Sequence, residues 1–474
     1  MKKWIILLTS TFLLLTFACD GQNSSNSGCG GTDDAADKTF RSVPTCGKGV
    51  TDSEGNYHID RQLFVNWTSS GAPTEPSNDP GFGGGEPRPL NAYSWTLTSF
   101  DDYLYVGVYN RLNDRQSAIP DTSEGGEIWR YKAGSTVNSG TWTQEVAAGF
   151  GNLTNLGIRI LMVYNNQLFA GTHNLDEGTE LWRRAADSAD GTKGQWQVIS
   201  TAGFGDSANN ASRSMAVFNN KLYIGTANNR TGAKLFKFDA ATDTLSQVAK
   251  IGDNDKKANV VSELVPFGDH LWIFTWGGTV GLSAFRMDRQ ENIQEAGLDD
   301  VNTDPNNTGI MSSAVLNGKI YLGTVNLVAG AQLFVLENPA VADLTDIAWN
   351  RLGANVFQIT EKYLWRIQAF NDHLYIGTWN PYNTRAPLTS WNNIGATLYR
   401  MDKDEGFCQV MGHKDLIEPG FGQSENYGIR SMAEHEGRLY IGTAQVFKIE
   451  PGSDDSNAAN REGTEVWEFD PISN

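Results

Sequence analysis

Four arginines and one glutamate recur at equivalent places in a chain whose overall charge is strongly negative. Aligning its repeated segments on the residue that opens each apolar run brings Trp95, Arg159, Arg213, Glu263, Met311, Arg366 and Arg430 into one register. With 37 Lys and Arg against 55 Asp and Glu, the formal charge is -18, so clustered guanidiniums run against the composition. Guanidinium groups present planar, bidentate donors that match carboxylate, sulfate or phosphate. The register could therefore bind an anion, or each Arg could pair with an acidic group or with backbone carbonyls of a neighbouring repeat. The acidic balance speaks for solubility and against nucleic acid as a partner.

The elements that must position these residues are visible in the repeat itself. Each copy has an apolar run, a polar turn, the phrase LY[IV]GT or a close variant, and then a glycine followed by an aliphatic and an aromatic residue. The anchoring aliphatic falls at Leu104, Leu168, Leu222, Leu271, Ile320, Leu374 and Leu439, at intervals of 49 to 65 residues, about the period of propeller repeats. The segments are rich in Val, Ile, Tyr, Phe and Thr and are punctuated by Asn-Asn, Gly-Asp, Asn-Gly and Asn-Asp, which predicts strands and hairpins. The aromatic recurs as Trp129, Trp182, Phe236, Phe285, Phe334, Tyr399 and Trp467, and a weaker fourth strand often leads into Gly-Phe-Gly.

This pattern resembles seven-bladed β-propellers over roughly residues 60 to 470, without the marks of a WD40 or kelch repeat. The expected fold is all-β, with seven four-stranded antiparallel blades. The last copy ends after its third strand at Phe469, whereas RQLFVNW at Arg61 to Trp67 lacks a blade of its own. This N-terminal strand is expected to complete the last blade as its outer strand, and closure removes an exposed sheet edge.

Propeller geometry places the arginine register at the mouth of a central channel, on the face that carries the loops after the LYIGT strands. Those loops are short in copies two to five and long in copies one, six and seven, where the glycine-to-glycine steps are 18, 18 and 21 residues. Ring closure sets the three long loops side by side as one wall. Loops on a rigid scaffold are where binding concentrates, and these offer Tyr109, Arg111 and Arg115, then Trp379, Tyr382, Arg385 and Trp391, then Gln445, Phe447 and Lys448. Aromatics beside arginines suit sugar rings and acidic groups, although the tryptophans could instead pack the loops. The repeated Asn110, Asn174, Asn228, Asn326 and Asn380 are expected to bond local backbone.

Of the six histidines, His173 is the one placed for proton transfer, with Asp176 and Glu177 in the same loop and Tyr363 and Tyr427 ahead of strand openings. A polysaccharide lyase needs a cation on the uronate and a Tyr or His to move protons, and propeller lyases are known. There is no nucleophile elbow, no Cys or Cys-His set of metal spacing, and no cofactor motif.

The N-terminal MKKWIILLTSTFLLLTFAC resembles a bacterial lipoprotein signal, which implies residues 1–18 as signal peptide and a lipid on Cys19. An ordinary secretory signal is the alternative. Residues 19–58 read as a flexible polar tether and 59–474 as the propeller domain. Export permits disulfides, with Cys46–Cys408 and Cys29–Cys46 both open. The chain is expected in the bacterial cell envelope, lipid-anchored, periplasmic or surface-exposed. Its expected work is binding a protein partner or an anionic glycan or metabolite, with an acidic-glycan lyase or other carbohydrate-active enzyme as the alternative.

Overall fold

The computed structural model describes residues 91–110, 124–133, 140–251, 258–277, 282–381, 395–412, 418–445 and 463–469. It adds the backbone of Val50–Thr51, Tyr57–His58 and Phe64–Asn66. All of these belong to one compact unit, Phe40–Asn474.

The described residues are all-β apart from a few short helical turns; Val50–Thr51 and Tyr57–His58 pair as a small separate sheet, and the other strands close into one antiparallel, propeller-like ring. In each repeat copy the apolar run pairs with the LYIGT strand across a tight turn, as Ala211–Phe218 does with Lys221–Ala227. The turn residues Asn219 and Asn220 have φ of 47° and 55°, and Asn165 with Asn166 and Asn371 with Asp372 repeat this conformation. Asn and Asp tolerate left-handed backbone, and such turns match the twist of the strands they join. The LYIGT strand then pairs with the aromatic-bearing strand, here Lys234–Asp239, and that with an outer strand, Thr244–Lys250.

Adjacent sets touch at the glycine of the LYIGT phrase. A Cβ on Gly225 would lie 2.4 Å from a Val261 methyl of the next inner strand. Closure comes from two ends: Phe64–Asn66 pairs outside Val466–Phe469, and Ala444 pairs with Tyr93. The expected N-terminal strand is thus in place, over Phe64–Asn66, beside the last described strand.

At the loop end of each set, side-chain amides and carboxylates bond one another and the nearby backbone, as in copy two. Asn155 Nδ2 donates to Glu180 Oε2 at 2.9 Å and to the Gly149 carbonyl at 2.9 Å, and Trp182 Nε1 donates to the same Glu180 oxygen at 3.0 Å. Asn174 Nδ2 donates to Asn155 Oδ1, while Asn174 Oδ1 accepts from the Asp176 and Glu177 amides. The repeated asparagines therefore hold local backbone. Phe150, at φ 63°, sits in a left-handed conformation that costs a non-glycine residue about 1–3 kcal/mol. Its stacking on Trp182 at 4.2 Å offsets that strain.

Asn155→Ala should lower stability by roughly 2–4 kcal/mol, because it removes a buried donor to the Glu180 carboxylate and the Gly149 carbonyl and one of the acceptors of the Asn174 amide. Urea unfolding would show this as a lower midpoint at unchanged slope; an unchanged midpoint would mean the network is not a stabilising element.

Candidate functional site

The inner strands carry a one-residue bulge at the same level in every copy. Pairing skips Trp95, Arg159, Arg213, Ser262, Met311, Trp365 and Arg430. A bulge re-aims side chains and is a device of functional sites. Here the bulged residue, its successor or both face one cavity of about 300 Å³, lined by Trp95, Arg159, Arg213, Glu263, Met311, Trp365, Arg366 and Arg430 among others. Every member of the sequence register lines that cavity. Glu263 and Arg366 stand one residue beyond the bulge rather than in it, and the residue missed is Trp365.

The four arginines have no carboxylate within ion-pair distance among the described residues. Arg213 Nη2 lies 3.6 Å from Met311 Sδ, and Arg366 Nη2 donates to Gln368 Oε1 at 3.3 Å. Arg159 lies 4.7 Å from the Trp95 ring and Arg430 5.0 Å from the Trp365 ring, both cation–π contacts. The Nε atoms of Arg213, Arg366 and Arg430 are buried without a hydrogen-bond partner. Glu263 accepts from Ser313 Oγ at 2.7 Å. Exposure is only 7 % at Arg159, 7 % at Arg213 and 5 % at Arg430.

Burial is the main force pushing all four guanidiniums below their ordinary range, most strongly at Arg159 and Arg430. Repulsion adds to it, since every pair among the four feels the other's charge, while Glu263 pulls the other way. Four cations and one carboxylate leave a net charge of three in a small, partly dry space. An anion is the kind of group whose charge would offset that excess.

The cavity lies on the hairpin side of the arginines. Its lining continues to Thr98, Met162, Pro266 and Val315, toward the turns that end the inner strands. Exposure rises in that direction, and Pro266 and Val315 are open to solvent. On the loop side, a cluster of rings covers the arginine level instead: Trp365 and Tyr427 with Met311, packed by Tyr93, Trp276, Tyr363 and Trp379. Tyr427 and Tyr93 share a hydroxyl hydrogen bond at 2.6 Å, and Tyr93 stacks on Tyr109 at 5.2 Å. Rings at the ends of the LYIGT strands face glycines of the next inner strand, Tyr109 opposite Gly157, Trp276 opposite Gly309 and Trp379 opposite Gly428. A Cβ on Gly309 would lie 2.2 Å from the Trp276 ring, so glycine is what lets the rings fold inward.

Tyr109 and Trp379 thus belong to the ring cluster and not to the cavity lining. His173 lies in the same layer, 5.3 Å from Trp95 and 6.0 Å from Tyr109 by ring centroid. Burial raises the pKa of Tyr93 and Tyr427 and lifts Tyr363 to about 12, which makes these phenols poor proton acceptors at neutral pH. Among the described residues, no group of three His, Cys, Asp or Glu could hold a metal ion, and no helix is long and apolar enough to cross a membrane. Arg111, Arg115, Tyr382, Arg385, Trp391, Phe447, Lys448, His413 and the cysteines Cys19, Cys29 and Cys46 lie outside the described residues. Cys408 is disulfide-bonded.

No family model and no curated protein matches the chain. Among solved structures, a luciferin-regenerating enzyme aligns at TM-score 0.38 and 10% identity, covering 81% of this chain and 94% of that one. An ancestral GH74 enzyme aligns at TM-score 0.46 and 10% identity, covering 80% of this chain and 48% of that one. At 10% identity, nothing of what those proteins act on passes to this chain.

Proposed function

We propose that this chain is an exported, lipid-anchored seven-bladed β-propeller that binds an anionic ligand in its central channel. The observation that carries the reading is the set of four guanidiniums, the buried Arg159, Arg213 and Arg430 and the half-buried Arg366, gathered around one cavity with no carboxylate within ion-pair distance among the described residues. A repeated residue that served only the scaffold would be expected to have a partner, as the repeated asparagines do. The seven-bladed reading is supported by the recurrence of the four-strand set at the repeat copies, and the anchor by the signal ending at Cys19. A binding role is favoured over a lyase because the nearby phenols are held protonated and His173 is outside the cavity lining.

Anion binding only to the folded state raises its melting temperature by mass action. Sulfate, phosphate and citrate, compared with chloride at equal ionic strength, should each raise the melting temperature of the protein. In Arg213→Gln/Arg430→Gln that increment should shrink to the smaller general effect such anions have on any folded protein. Equal increments in both proteins would sink the proposal.

A further inference from the structure

The shape and position of the cavity narrow the class of ligand, given the anion-binding reading on which this step rests. We infer that the channel takes a compact polyanion end-on through its hairpin face: a small free polycarboxylate, or the acidic terminus of a glycan chain, with two or more acidic groups on the arginines and a hydrogen-bond donor on Glu263.

Three observations carry it. The arginines stand in one layer, three of them nearly excluded from solvent and Arg366 half-buried, around a space of about 300 Å³, at the small end of ligand pockets. The interior of a polymer needs a groove open at two ends, whereas the ring cluster of Tyr93, Trp365, Trp379 and Tyr427 packs the loop side of this layer. The remaining approach, past Met162, Pro266 and Val315, suits a free molecule or a chain end. One singly charged group would leave most of the cavity's three net charges unanswered, so the ligand carries at least two. Among the described residues Glu263 is the one carboxylate on the lining, and it would repel an acid group but accept from a hydroxyl or ammonium group.

Titration calorimetry on the full soluble chain tests this with citrate, tricarballylate (the same three carboxylates without the hydroxyl), acetate, trigalacturonate and polygalacturonate. Citrate or trigalacturonate should bind at least 100-fold more tightly than acetate; binding of citrate assigns the free acid as the source, and binding of trigalacturonate alone assigns the chain end. Polygalacturonate should bind in proportion to its chain ends, not to its uronate content. If citrate binds, Glu263→Gln should reduce its advantage over tricarballylate.

Entry is tested by narrowing each side. Met162→Trp and Val315→Trp on the hairpin side should weaken binding at least tenfold, with urea midpoints confirming that both fold. Leu175→Trp and Val328→Trp, exposed on the loop side, should leave it unchanged. The reverse pattern, or binding that scales with uronate content, overturns the end-on inference and leaves the anion-binding channel standing. If no anion responds to Arg213→Gln/Arg430→Gln, the channel reading itself falls.

Discussion

Arg213→Met should make the ligand-free protein more stable and abolish anion binding. Arg213 is 7 % exposed, its Nε lacks a hydrogen-bond partner, and its one polar contact is with the soft Met311 sulfur. Burial and the Arg366 charge both push it away from its charged form, and Glu263 only partly offsets them. At an effective dielectric constant near 20, like charges some 6–8 Å apart repel by about 2–3 kcal/mol. Methionine keeps the unbranched shape without the charge, and replacing buried charged groups by apolar ones commonly adds about 1–4 kcal/mol. The check is a pair of urea titrations in a chloride buffer free of multivalent anions, with calorimetry on citrate alongside. A higher urea midpoint together with lost binding is the signature of a site that gives up stability for function. A lower midpoint in that buffer would make Arg213 a structural residue.

The arginine layer was legible because the repeat is regular: residues at equal places in each copy come to equal heights in the ring. What the alignment missed by one residue was the bulge. In copy six it presents Trp365 and leaves Arg366 to follow, and in copy four it presents Ser262, which bonds the Phe274 carbonyl, and leaves Glu263 facing the cavity. An inserted residue shifts the alternation of a strand by one, but inner strands such as Ala211–Phe218 and Asn426–His435 are buried on both faces, so no alternation is there to show the shift. The side on which the cavity lies was not legible either. Periodicity assigns residues to a layer, whereas the filling of the space beside it depends on rings packing across several copies. A signal did exist, in the pairing of bulky strand ends with glycines: Tyr109 with Gly157, Trp276 with Gly309 and Trp379 with Gly428. Tyr109 and Trp379 read as ligand contacts on the loops, and like Trp276 they turn inward because the opposite residue has no side chain.

Copy six also breaks the asparagine network, and this leads to a pH effect of comparable size. Where other copies place Asn91, Asn155, Asn209, Asn307 or Asn426, it has Glu361, 1 % exposed; its carboxylate accepts from the Thr397 hydroxyl, the Tyr399 hydroxyl and the Gln358 amide. Copies one, two and seven put the acid on the facing strand instead, beneath a tryptophan, as Glu127, Glu180 and Glu465. Burial outweighs the three hydrogen bonds and lifts Glu361 to about 7 from an ordinary 4.5. The folded state then holds a proton that the unfolded chain has released between those two values. Stability contributed by this group therefore falls as pH rises from about 4.5 to about 7 and is level above that, with a total loss of about 3 kcal/mol. His435 and His270, both lowered by burial, act in the opposite sense, since their unfolded forms bind the extra proton and stability rises with pH. The net curve mixes the two, and the difference between wild type and Glu361→Gln isolates the carboxyl. Urea midpoints at half-unit steps from pH 4.5 to 8 should show wild type losing stability relative to Glu361→Gln up to about pH 7 and a constant gap beyond. The constant part of the gap absorbs the cost of placing an amide nitrogen against the Gln358 N–H. Parallel curves throughout would mean that Glu361 is ionised in the folded protein and that its three donors outweigh its burial.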